Sequence, residues 1–257
     1  FDASEGYRGR NQFLIAYQST FLTPRAGAGA ISADPQGFEV DGCNGGGCTA
    51  PSNANAQSSG RDDGLYTMNM FANFTVIGVG ATQTTPTQGG VGMVLRRGTG
   101  GYYLNGVVAR WPRQAISVRD STSNNRFQVD SLIARNLYFA DNGLQNAGVF
   151  FDPTGTNFGQ EAAFTARNSN IAVAASTVTA SSLFTALPAG AANTTAADFD
   201  WSPSASSAIA TGGLATFSND AKIAARAGTF IPPTASGGAA APGGVKWWAN
   251  WTAYARN

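Results

Sequence analysis

An asparagine followed three residues later by an apolar, strand-forming residue recurs through the first two thirds of this chain. It stands at Asn73 in FANFTVIGVG, Asn105 in YYLNGVVARW, Asn136 in ARNLYFADNG and Asn168 in ARNSNIAVAA, at steps of 32, 31 and 32 residues. Asn11 in RNQFLIAYQ lies 62 residues before Asn73, two such periods, with the intervening copy displaced by a cysteine-containing loop near residue 42. The apolar partners are Leu14, Val76, Val108, Phe139 and Ile171, a column expected to point inward.

A second column keeps step with the first. GFEVDG, GMVLRRG, AISVRDS and GVFFDPT alternate apolar with variable residues as Phe38/Val40, Met93/Leu95, Ile116/Val118 and Val149/Phe151. Such alternation is the signature of a strand with one buried face. Two strand columns repeating together predict a chain that coils turn upon turn, an all-β parallel solenoid. In that stack Asn11, Asn73, Asn105, Asn136 and Asn168 are expected to form a ladder of amides, each satisfying the next.

Composition agrees with this class. In 257 residues, 43% are apolar, enough for a core, while only 12% are charged and the net charge is +1. Of 16 basic residues only Lys222 and Lys246 are lysines, and the arginines are scattered, so nucleic acid is not an expected partner. No apolar run reaches the roughly 18 residues of a membrane-spanning helix. FDASEGYRGR lacks signal-peptide character, and a start at Phe1 without Met reads as a processed product or part of a longer one.

The chain divides at about residue 187. Residues 1–187 hold the repeating turns, with long excursions at about 18–36, 42–65 and 80–90 and tighter turns afterwards. Residues 188–257 read as a low-complexity wrapping segment with a short helix within 219–230 and a Trp-rich end. Trp247, Trp248 and Trp251 would either stack on a sugar ring or plug the open end of the coil, the plug being favoured because an uncapped end exposes core. Cys43 and Cys48, with four residues between them of which three are glycines, are expected to close a small disulfide loop, which places the protein outside the reducing cytosol. Asn73, Asn193 and Asn250 stand in glycan-acceptor sequons.

GYRGRNQFLIA, GFEVDG, TVIGVG, GMVLRRGTGGYYLNGVVAR and the ending WWANWTAYARN together resemble a family of bacterial secreted or lipid-anchored proteins. The resemblance implies a right-handed parallel β-helix of the pectate-lyase-like type. It covers most of residues 1–170 and the last ten or so, and implies further turns ahead of the segment matching Phe1.

Immediately after the second column stand Asp41, Arg96, Arg119 and Asp152, one per turn, with Arg97, Asp120 and Asp130 nearby. Carboxylates and arginines on one face can serve as acid and base for glycoside hydrolysis. They can also abstract a proton beside a uronate carboxylate, with cationic groups or calcium stabilising the charge. Arg119, Asp120 and Asp130 are the candidates for catalysis, while opposite charges on successive turns also pair in solvent and deter lateral aggregation. RRGTGG lacks the Walker lysine of a phosphate loop, and without histidine the usual His-assisted serine chemistry is excluded.

The function expected is therefore that of a secreted or cell-surface structural or adhesive β-helix. It would present loops to a glycan, a protein partner or copies of itself, or stack on a missing N-terminal portion. The alternative is a polysaccharide lyase or glycoside hydrolase working through the Asp/Arg face.

Overall fold

Short apolar alternations form one sheet. The computed structural model describes residues 1–19, 35–43, 66–80, 89–145, 148–152, 161–188, 194–250 and 252. Strands β1 (Asp2–Ala3), β3 (Phe38–Asp41), β5 (Met93–Arg96) and β8 (Ile116–Val118) pair in parallel in the order β1-β3-β5-β8. Phe38 lies opposite Met93, and Met93 opposite Ile116, so the second apolar column is in register across these three strands. It slips at the next turn. Phe151, not Val149, bridges Ile116, and Val149 is left exposed.

The longer segments form the second parallel sheet. β2 (Arg10–Tyr17), β4 (Met68–Ile77), β6 (Gly100–Leu104) with β7 (Val107–Ala109), β9 (Leu132–Ala140) and β10 (Ser169–Val173) stack in chain order. The connections 20–34, 44–65 and 81–88, which cover most of the expected excursions, lie outside the described residues. The described residues therefore display two parallel sheets rather than a closed coil. The later turns are not tight: helices Ser121–Gln128 and Glu161–Arg167 are inserted before β9 and β10.

Between the sheets lies an apolar core in which Phe38 packs 5.0 Å from both Phe71 and Phe74, and Phe139 packs 5.7 Å from Phe151, centroid to centroid. Phe71 and Phe74 both face this core although three positions apart, which strict alternation forbids. The parity flips at Asn73, whose φ is +52°. Asn105 (+53°), Asn136 (+55°) and Asn170 (+56°) do the same on successive strands. Left-handed backbone is sterically costly for most side chains and best tolerated, after glycine, by asparagine. Gly106 completes the corner, because a Cβ there would stand 2.0 Å from the Phe74 ring.

The asparagine column is thus a bend line, and its membership differs from the expected ladder at both ends. Asn11 lies opposite Phe71, and Phe13, at φ +59°, occupies the bend beside Asn73. Asn168 receives the Ala134 N–H at 2.8 Å and donates to Phe164 O at 2.7 Å, joining helix Glu161–Arg167 to β9. Asn170 takes the place beside Asn136 because that helix lengthens the turn.

Both halves of the second sheet are apolar on the outside too, as expected of parallel strands buried on two faces. Met68, Met70, Leu104 and Ile133 pack under Ile223, Ala227 and Ile231 of the C-terminal segment, around helix Ala221–Ala227. Ile77, Val107, Ala109 and Ala140 pack under Leu183, Phe199, Trp201 and Trp248. That second cover includes the antiparallel pair β11 (Phe184–Ala186) and β12 (Asp200–Pro203).

Candidate functional site

The expected Asp/Arg row sits on the outward face of the first sheet. Strand register sets Asp41 directly opposite Arg96. Arg96 Nε lies 2.5 Å from Asp41 Oδ1, its second guanidinium nitrogen pairs with Glu39, and Arg97 reaches Asp41 Oδ2 at 3.0 Å. Both Asp41 oxygens are therefore occupied by arginine. A carboxylate so held is a poor base toward a sugar, because its lone pairs are already committed.

The other candidates are drawn into local structure. Asp120 caps helix Ser121–Gln128: Oδ1 accepts the Ser123 N–H at 2.7 Å, and Oδ2 accepts the backbone N–H of Arg97. Ser123 Oγ in turn accepts from Gly98 N at 3.0 Å, so the RRGTGG turn is tied to the helix start. Arg119 continues the row through its backbone, donating to Leu95 O. Asp152 leaves the row because of the register slip at Phe151, and takes a hydrogen bond from Ser117 Oγ at 2.7 Å. Asp130, at the far end of the same helix, faces Arg167 at 3.7 Å, and its carbonyl accepts from Lys222. No two of the catalytic candidates Arg119, Asp120 and Asp130 form an ion pair or hydrogen bond with each other among the described residues. Among the described residues no group of three or more His, Cys, Asp or Glu is placed to hold a metal, which leaves calcium without a described ligand set.

Trp247 and Trp248 belong to the apolar cover of the second sheet and also line its β2 side. Trp248 is buried against the outer face of β4, β7 and β9, and Trp247 donates its indole N–H to Ala239 O at 2.9 Å. Their apolar partners lie on the outside of a sheet that would otherwise meet water, which gives the flank the stronger claim on them. Trp251, Cys48 and Asn193 lie outside the described residues, and with Cys48 the expected bridge to Cys43. Asn73 is buried and bonded to Thr234, so its sequon offers no glycan site in the fold, whereas Asn250 is exposed.

A groove follows the outer side of β2, the outermost strand of its sheet among the described residues. It measures about 410 Å³ and is lined by Phe1, Phe13, Tyr17, Trp201, Trp247 and Trp248, among others. Every residue of β4 is buried, but those of β2 are exposed or half-buried, with Phe13 42% and Phe1 38% exposed. Tyr17 is held from behind by Arg110, whose guanidinium lies 5.3 Å from the ring centroid, and edge-on by Phe199 at 4.9 Å.

Sequence reasoning missed the role of the amide column. Its side chains project onto the C-terminal segment: Asn73 and Asn105 both donate to Thr234 Oγ1 at 2.5 and 2.9 Å. Asn105 Oδ1 accepts the Leu214 N–H at 2.6 Å, and Asn136 donates to Gly212 O at 2.9 Å. Among the described residues two links run from amide to amide along the column, Gln12 to Asn73 Oδ1 at 2.9 Å and Asn170 to Asn136 Oδ1 at 3.4 Å. The side chains at the bend point together at the C-terminal segment, and a signal for this in the sequence was the Thr and Gly content of 211–238.

No curated protein and no solved structure gives a match to the chain. The family described as the pectate-lyase-like β-helix domain matches residues 1–183, the part that carries both parallel sheets. With its sheets stacked in chain order and that match over most of its length, the chain belongs to the pectate-lyase-like β-helix family.

Proposed function

We propose that the protein is a structural β-helix of the cell exterior that works by binding, and that its β2 end joins another polypeptide strand, first of all that of a second copy. The reading takes the two parallel sheets as turns of one right-handed coil. The observation that carries it is the contrast between β4, buried throughout, and β2, whose outer edge meets no strand among the described residues and lies beside exposed Phe1 and Phe13. Open parallel edges next to apolar surface are templates for a further strand. The Asp/Arg row supports the same reading from the other side, since its carboxylates serve ion pairs and a helix cap.

Light scattering of the native protein over a concentration series tests it. Association that rises with concentration, and that Phe13→Lys weakens at least tenfold, is the expected result. A mass of one chain up to the solubility limit would overturn it. The aromatic groove favours a second reading, a glycan laid against Trp247. Binding to a panel of neutral and acidic polysaccharides that Trp247→Ala abolishes would establish that reading. Location outside the cytosol rests on the Cys43–Cys48 spacing and is tested by intact mass with and without reduction and alkylation.

A further inference from the structure

At the end of the sheet opposite β2, the asparagine column outruns its cover among the described residues. Going up the column, Gln12 donates to Pro232 O, Asn73 to Thr234 and Gly238 O, and Asn105 to Thr234 while accepting from Leu214 N. Asn136 donates to Gly212 O. Each of these four amides holds a stretch of uncharged residues of this chain by a backbone carbonyl or N–H group. The next member, Asn170, is exposed, and among the described residues its side chain bonds the amide below it, Asn136.

A cleft of about 380 Å³ opens at that point. One wall is Asn136, Tyr138 and Asn170, and the other includes Thr211, Gly212 and Gly213. None of its lining residues carries a formal charge, and burial pushes the Tyr138 phenol above its ordinary value, so the cleft disfavours charged ligands. Beyond it β10 is the last strand of its sheet, with Ser169, Asn170, Ala172 and Val173 exposed.

We infer that this cleft is a binding site for an extended, uncharged peptide rich in small residues, whose backbone amides are held by Asn170 and Asn136 as the chain's own segment is held by Asn105 and Asn73. The site continues an interface that the molecule already makes with itself. The Asn amide supplies an NH2 with two donor hydrogens and a carbonyl oxygen with two lone pairs on a rigid, pre-bent backbone, which leaves capacity for the N–H and C=O pair of a peptide unit beside the bonds already made. It is independent of the association at β2.

The test is titration of the whole protein with an acetylated, amidated peptide copying residues 232–238, followed by the side-chain amide NMR signals of Asn136 and Asn170. Saturable shifts of both signals are expected. Asn170→Gly keeps the left-handed backbone and removes the amide, and should weaken binding about fivefold, the loss of one ordinary hydrogen bond. An Asp-containing version of the peptide should not bind. Unmoved signals, equal affinity in Asn170→Gly, shifts confined to Asn73 and Asn105 through displacement of the native cover, or preference for an N-acetylated oligosaccharide at the same amides would each overturn the inference.

Discussion

The outward faces of the two sheets meet the same problem in different ways. Strands β3 and β5 send Glu39, Asp41 and Arg96 into a network of ion pairs at the surface. Strands β4, β6 and β9 send Met, Leu and Ile outward and rely on described residues of 178–187 and 199–248 of the same chain to cover them. The first solution is local, set by residues one strand apart. The second spans more than a hundred residues of sequence, and it is held in place by the amides at the bend as well as by apolar contact. A parallel stack can therefore be finished by charge or by a strap, and only the strap fixes the C-terminal third of the chain.

Asn105 is where the covered face should be easiest to break. Asn105→Ala places Cβ-bearing alanine at φ +53°, costing about 1–2 kcal/mol, and strands the Leu214 N–H and the Thr234 contact, for a total near 4 kcal/mol. Asn105→Gly removes the hydrogen bonds but keeps the backbone, so it should cost about half as much. Urea unfolding of both variants separates the two contributions, and equal losses would show that the hydrogen bonds alone matter and the strained bend does not.

Ile223→Ala acts on the strap without touching the bend. Ile223 is fully buried over Met68 and Met70, so a loss of about 3 kcal/mol is expected. A change under about 1 kcal/mol in the same unfolding measurement would mean that the strap rests loosely on the sheet.

The charged face should respond less. Asp120→Ala removes a helix cap and the acceptor for Arg97 N, at a cost of about 1–2 kcal/mol. If the row had a catalytic role, the same variant would abolish turnover on a polysaccharide while leaving the melting temperature nearly unchanged. The proposed function predicts the reverse pattern.

The smallest effect is expected at the edge of the strap. Burial opposes the charged form of Asp200, but hydrogen bonds from Lys246 and Ser202 outweigh it and hold its pKa below the ordinary 3.8. Stabilisation from a depressed carboxylate is complete above that ordinary value and is lost as pH falls through the lower folded value. Lys246 is half exposed, so the pair is worth at most about 0.5 kcal/mol. Lys246→Met should lower the melting temperature slightly at pH 6 and make no difference at pH 2, as followed by thermal melts across that range.

Much of the stack was legible because strand sequence reports burial directly. The alternation in FEVD, MVLR and ISV fixed three strands of one sheet, and the step from Asn73 through Asn105 to Asn136 fixed their partners in the other. Legibility failed where a turn changed length. Asn11 and Asn168 kept the arithmetic of the period, but a bend requires a backbone conformation, and Phe13 and Asn170 supply it. The charged row was legible as far as Asp41, Arg96 and Arg119. Asp152 was lost to a two-residue slip, and Asp120 looked like surface chemistry because a cap cannot be told from an acid until the helix after it is seen.

The sequence by itself determined the parallel β architecture and the inward columns, because periodic burial leaves its mark on every turn. Tertiary structure alone decided what covers the outside of the second sheet, where the tryptophans lie and which groups the asparagines hold. Those contacts join Asn105 to Leu214 and Asn73 to Thr234, across stretches of small residues whose composition carries no period. Such pairing follows from the shape and unmet hydrogen bonds of a surface that exists only once the strands have stacked.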